Sequence, residues 1–124
     1  MNLVDSSGWL EYLADGPGAD FFAPAIEEVS ELLVPTICIV EVAKIILRQR
    51  GEQAVLQSIA LMQQGRVADL DVRLAESAAA LGVAHRLPLA DSIILATARA
   101  YEATLWTQDG DFKGLENVRY TEKR

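Results

Sequence analysis

Residues 87–112 read LPLADSIILATARAYEATLWTQDGDF. LPLADSIILATARAYEA is a helix-period segment, TLWT at 104–107 is a short β-prone run, and Asp109 and Asp111 follow that run only two positions apart. A helix that feeds a short apolar strand is the repeating unit of an α/β sheet. The two acids beyond the strand have two explanations. Asp and Gly both suit a chain reversal. Equally, hard divalent cations take oxygen ligands, and carboxylates supply those with charge.

The same alternation extends in both directions. NLVD at 2–5 is β-prone, and SSGWLEYLAD follows it as a helix with Ser6 or Ser7 placed to cap; Gly16, Pro17 and Gly18 close it with a turn. Residues 19–28 offer a second helix and ELLVP at 31–35 a second strand. TICIVEVAKIILRQRG is a long helix with Thr36 at its cap and Gly51 at its end. Helix-period sequence resumes from 52 to 64, RVADL gives a third strand, and Asp71 caps a helix that runs through about 84. NVRY at 117–120 closes the series as a fifth strand. The fold expected is one α/β domain over residues 1–124 with a mostly parallel sheet.

Composition narrows the function classes. A chain of 124 residues with 51% hydrophobic content suits one compact core. A net charge of -7 argues against binding phosphate backbones through bulk charge. The one cysteine, Cys38, lies in the apolar run TICIV and has no partner for a disulfide, in keeping with a reducing, cytoplasmic compartment. MNLVDSSGW puts no basic segment before an apolar one, and no apolar run reaches a membrane span; neither a signal peptide nor a membrane partner is expected.

Ligands of open α/β sheets gather beyond the carboxyl ends of the strands, where strand order reverses. Asp5 ends the first strand and Asp109 follows the fourth. Glu41 lies on the helix after strand two, and Asp91 is in the first turn of the helix before strand four. All four sit on elements that can meet at one sheet edge. Taken singly, Asp91 could be a cap or a dipole partner, Glu41 could pair with Lys44 three residues on, and Asp5 could bound the first helix.

LVDSS at 3–7, the acid inside TICIVEVAKI, LPLADSIILATA and LWTQDGDF, in that order and across nearly the whole chain, resemble the PIN-domain nucleases and, within them, the VapC-type toxins of prokaryotic toxin-antitoxin pairs. The resemblance implies a parallel five-stranded sheet flanked by helices on both sides. Its acidic site falls on Asp5, Glu41, Asp91 and Asp109. Thr107 matches a hydroxyl residue before the last acid and Asp111 a further acid; Ser6, beside Asp5, joins these two as a candidate supporting residue. The implied activity is hydrolysis of RNA phosphodiesters with Mg2+ or Mn2+, and the implied partners are RNA, a cognate antitoxin and a second copy in a homodimer. Trp106 departs from the family pattern, which favours a smaller aliphatic there, and this bears on strand packing rather than chemistry.

Other chemistries lack their residues. His85 is the only histidine, and no cysteine pair exists for a zinc site. DGD lacks the spacing of an EF-hand loop, no glycine-rich phosphate loop is present, and Ser6 and Ser7, whose expected role is capping, have no histidine partner. Two alternatives remain at this level. A phosphoacceptor receiver domain shares the clustered acids and Mg2+, although it would carry paired acids after its first strand. A catalytically inactive PIN-like binding module would keep the fold without the reaction. Among the basic residues, Lys44, Arg48, Arg86, Arg99 and Lys113 are dispersed, and each is a candidate phosphate contact.

Overall fold

A computed structural model describes all residues from Met1 to Arg124. Five strands form the sheet: β1 (Asn2–Val4), β2 (Leu32–Pro35), β3 (Arg66–Ala68), β4 (Thr104–Thr107) and β5 (Val118–Tyr120). Six helices connect them: α1 (Ser6–Leu13), α2 (Ala19–Glu27), α3 (Thr36–Arg50), α4 (Glu52–Met62), α5 (Val72–His85) and α6 (Leu89–Ala100). The strand order is β3-β2-β1-β4-β5, and every neighbouring pair is parallel. From β1, the helices α1 to α4 carry the chain outward to β3, and α5 and α6 bring it back across the sheet to β4. Parallel crossovers are right-handed, so the two sets cover opposite faces.

Strands covered on both faces must be apolar throughout. Leu3, Val4, Leu33, Val34 and Leu105 are accordingly fully or almost fully buried at the centre. β3 and β5, at the edges, are three residues long and carry Arg66 and Arg119, which blunts them as templates for further pairing. No single helix is long and apolar enough to cross a membrane. The order also excludes the receiver alternative, whose doubly wound sheet runs 2-1-3-4-5.

Helix starts differ from the sequence expectation at two places. α1 is capped by Asp5 and not by Ser6 or Ser7: the Asp5 side chain accepts the Gly8 N–H, and the two serines are the first helical residues. Strand β1 ends so close to the helix that the last residue before it must serve as the cap. Likewise Thr36 is already helical, because β2 runs directly into α3 and Pro35, extended at φ -66, occupies the cap position without a side-chain hydrogen bond. Asp71 does cap α5, and Gly51 ends α3 at φ 88. Several boundaries contract: α4 stops at Met62, β2 starts at Leu32, β3 stops at Ala68 and α6 runs only from Leu89 to Ala100.

Trp106 is accommodated by specific partners. Its indole N–H donates to Asn2 Oδ1 at 2.9 Å, the Arg119 guanidinium lies 4.3 Å from its ring centroid, and Phe21 packs at 5.4 Å. Trp9 and Phe22 are fully buried, as aromatics at helical spacing imply.

Gly8 lets α1 lie close to its surroundings. A Cβ there would stand 2.6 Å from both Phe22 Cε1 and Val4 Cγ1, two buried side chains with little room to yield. Gly8→Ala should therefore destabilise the fold by about 1–3 kcal/mol despite alanine's better helix propensity. Chemical denaturation checks this, and a more stable variant would contradict the packing described.

Candidate metal centre

Asp5 is the most constrained side chain at the carboxyl edge of the sheet. Only 2% exposed, it accepts hydrogen bonds from Gly8 N–H at 2.9 Å, Ser7 Oγ at 2.8 Å and Thr107 Oγ1 at 2.6 Å. Thr107 is the last residue of β4, and its hydroxyl oxygen accepts the Asp109 N–H at 2.9 Å. One hydroxyl thus fixes Asp5 and Asp109 relative to one another. Asp109 in turn caps the 3-10 turn Gly110–Phe112 by accepting the Asp111 N–H at 2.9 Å. The turn and the cluster of acids are one structure, so the turn explanation of the DGD fragment does not compete with the ligand one.

Asp91 enters from the first turn of α6, half-buried. One carboxylate oxygen each of Asp91, Asp109 and Asp111 lie within 4.8 Å of one another. Two unit charges that close repel by about 3 kcal/mol at an effective dielectric of about 20. Glu41 stands outside this tight group, on α3, and accepts the Ser6 hydroxyl at 2.6 Å. It does not pair with Lys44: the chain's one ion pair is Lys113–Glu122. All four expected acids nevertheless line one cleft of about 540 Å³, Asp5, Glu41, Asp91 and Asp109 together.

Burial pushes the Asp5 carboxyl up from its ordinary 3.8 to about 6; hydrogen bonds from Thr107, Gly8 and Ser7 oppose the shift, and the Asp109 charge adds to it. Asp91 rises to about 7, first through burial and then through the charges of Asp109, Asp5, Asp111 and Glu41. Acids that raise one another in this way fit an all-oxygen site for a hard divalent cation, whose charge would offset the repulsion. Cys38 lies beneath the cleft, where burial raises its thiol and the acids above add to the effect, so it packs as an inert apolar group.

Sequence reasoning passed over two residues of the site. Ser7 was expected to cap and instead donates to Asp5. Gln108, buried between β4 and α1, donates to the Ser7 carbonyl and to Glu11 Oε1, both at 3.4 Å. Its place between Thr107 and Asp109 was the available signal.

The family model for the PIN domain matches residues 3–117. Among solved structures, the fold is similar to a toxin-antitoxin complex from Klebsiella pneumoniae, with a TM-score of 0.81 and 24% identity over 96% of each chain. It is also similar to Mycobacterium tuberculosis VapC20, a Sarcin-Ricin loop cleaving toxin, with a TM-score of 0.78 and 22% identity over 96% of this chain and 99% of that one. VapBC2 from Rickettsia felis, bound to a DNA fragment from their promoter, gives a TM-score of 0.75 at 13% identity over 98% and 97% of the two chains. Among curated proteins, no significant sequence match is found.

Because Asp5 and Asp91 hold protons more tightly folded than unfolded, their contribution to stability is complete below about pH 4. It is lost as pH rises through about 6 and about 7. In chelator, the melting temperature should fall between pH 5 and pH 8, and a divalent cation should restore more at pH 8, where the carboxylates are ionised. Thermal melts at fixed ionic strength measure both; a cation gain no larger at pH 8 than at pH 5 would rule out these two acids as ligands. Glu41→Gln extends the test across a Mg2+ titration. Melting curves that diverge from wild type as Mg2+ rises would put Glu41 among the ligands or their support, and parallel curves would place it outside.

Proposed function

The chain belongs to the PIN-domain family, and from that premise we propose that it is a metal-dependent endoribonuclease, the toxin of a toxin-antitoxin pair. The observation that supports this best is the convergence of Asp5, Glu41, Asp91 and Asp109 on one cleft at the point where strand order reverses between β1 and β4. The family resemblance of the motifs, and the likeness to structures described as toxins and toxin-antitoxin complexes, support the biological half of the proposal. A protein antitoxin as regulator, a homodimeric state and a cytoplasmic location belong to the same proposal.

Asp5, Glu41, Asp91 and Asp109 would hold Mg2+ or Mn2+, with Asp111 in support beside Asp91 and Asp109. Such an ion supplies relief of negative charge on the phosphoryl oxygens, a more acidic water and a template for in-line geometry. The side chains prepare for it. Thr107 commits its proton to Asp5, which keeps that carboxylate turned toward the cleft, and its oxygen anchors the Asp109 backbone. Ser6 does the corresponding work on Glu41. These bonds lock rotamers that would otherwise spread apart under mutual repulsion, so the ligand set is built before substrate arrives.

Purified protein should cleave RNA in Mg2+ or Mn2+. Asp5→Asn and Asp91→Asn should each reduce the rate by orders of magnitude while circular dichroism stays that of the wild type. Full cleavage by both folded variants would overturn the site assignment; a folded wild type that cleaves no RNA would favour an inactive binding module. Expression in a bacterial host should arrest growth, and co-expression of the neighbouring gene's product should relieve it. Harmless expression of an active enzyme would remove the toxin role and leave the nuclease.

A further inference from the structure

Resting on the endoribonuclease assignment, we infer that Lys44 and Arg48 on α3 form a phosphate-binding track that leads out of the acidic cleft and holds the RNA backbone beside the scissile bond. Both residues line the cleft that contains the four acids. They follow Glu41 by three and seven positions and therefore share its face of the helix. At a rise of about 1.5 Å per residue, they stand roughly 4.5 and 10 Å beyond Glu41 along the axis. A strand whose reacting phosphate reaches the acids then passes its next phosphates along this row.

Their place sets these two cations apart from the other basic residues: of the eleven Lys and Arg, only Lys44 and Arg48 line the cleft that holds the acids. Neither has a carboxylate at ion-pair distance, although the chain carries a net charge of -7. Glu41, the obvious partner, is taken by Ser6. Of the other cations, Arg50 and Lys123 line the adjoining cavity, which shares Ser7, Leu10 and Ile45 with the cleft but none of the four acids. Arg66, Lys113 and Arg119 lie over the rings of Tyr101, Tyr120 and Trp106. Arg99 faces a small cavity with Glu102 and Asn117, at the starts of β4 and β5 and hence at the opposite edge of the sheet. Arg86 ends α5 in left-handed backbone at φ 54.

An acidic centre repels the phosphates that flank the one it cleaves, and unpaired cations along the exit path offset that repulsion. The remaining wall near α3, Leu10, Ile37, Val40 and Ile45, offers base edges no hydrogen-bonding side chain. Contacts of this kind position a strand without specifying its sequence.

The test uses single-stranded RNA oligonucleotides of several sequences with the Mg2+-loaded protein. Their Kd and kcat/KM are measured against KCl concentration for wild type, Lys44→Gln, Arg48→Gln and the double variant. The side chains are exposed, so the variants should fold as wild type does. Each substitution should weaken binding several-fold for every sequence, raise KM with kcat little changed, and flatten the log-log salt slope by about 0.7. Lys44→Arg and Arg48→Lys should keep the wild-type slope, and Arg99→Gln should alter nothing. A double variant with wild-type Kd, KM and slope overturns the track, as does a loss confined to kcat or a wild type that binds no RNA. A wild type that binds with the expected slope yet cleaves nothing removes the endoribonuclease assignment and leaves the phosphate track in place.

Discussion

A carboxylate placed out of water at the centre of a sheet edge has to be satisfied by the chain itself, and Asp5 sets that demand here. Its three donors come from three places: the backbone of α1 at Gly8, the side chain of Ser7, and Thr107 at the end of β4. Leaving such a group without partners would cost several kcal/mol, so the start of α1 and the end of β4 are bound to one geometry. Much else follows from this. Gly8 must lack a side chain for its amide to come near Asp5 while Phe22 and Val4 stay packed. β4 must be the neighbour of β1 for Thr107 to reach, which is the strand order observed.

Around that fixed point the electrostatics work against folding. Asp91 and Asp5 are both raised, by burial first and by neighbouring acids next. The apolar core beneath supplies the compensation: β1, β2 and β4 are buried on both faces and Cys38 fills the space under the cleft. A site of concentrated negative charge is stable only on a rigid base, and the doubly covered parallel sheet provides one.

Much of this was legible in the sequence, for physical reasons that differ between elements. Alternation of short β-prone runs with helix-period segments gave the parallel sheet, because the two periods are distinct and Gly51 and Asp71 punctuate them clearly. The acids at strand ends were legible because the position of a residue beyond a parallel strand already fixes which edge it occupies. The N-caps of α1 and α3 were not. Ser6, Ser7 and Thr36 have the chemistry of caps, but β1 and β2 run into their helices without a spare residue, so Asp5 and Pro35 occupy those positions. The partners of Glu41 were also hidden: i,i+3 spacing suggested Lys44, whereas Ser6 lies 35 positions away along the chain and reaches it only through the packing of α1 against α3. Gln108 was hidden in another way: its place between Thr107 and Asp109 puts it near the site, but a polar residue between a strand and a turn gives no local sign of burial.

The hydrogen bond between Thr107 and Asp5 joins positions 102 apart in the chain. During synthesis from the amino terminus, Asp5, Glu41 and Asp91 all emerge before the strand that aligns them, and closing so long a loop is an entropic cost met only when β4 docks. A nascent chain halted before residue 107 therefore carries most of the acids but not the bond that orders them. Ordering of the centre therefore waits for the synthesis and docking of β4, a form of timing that resides in strand order alone.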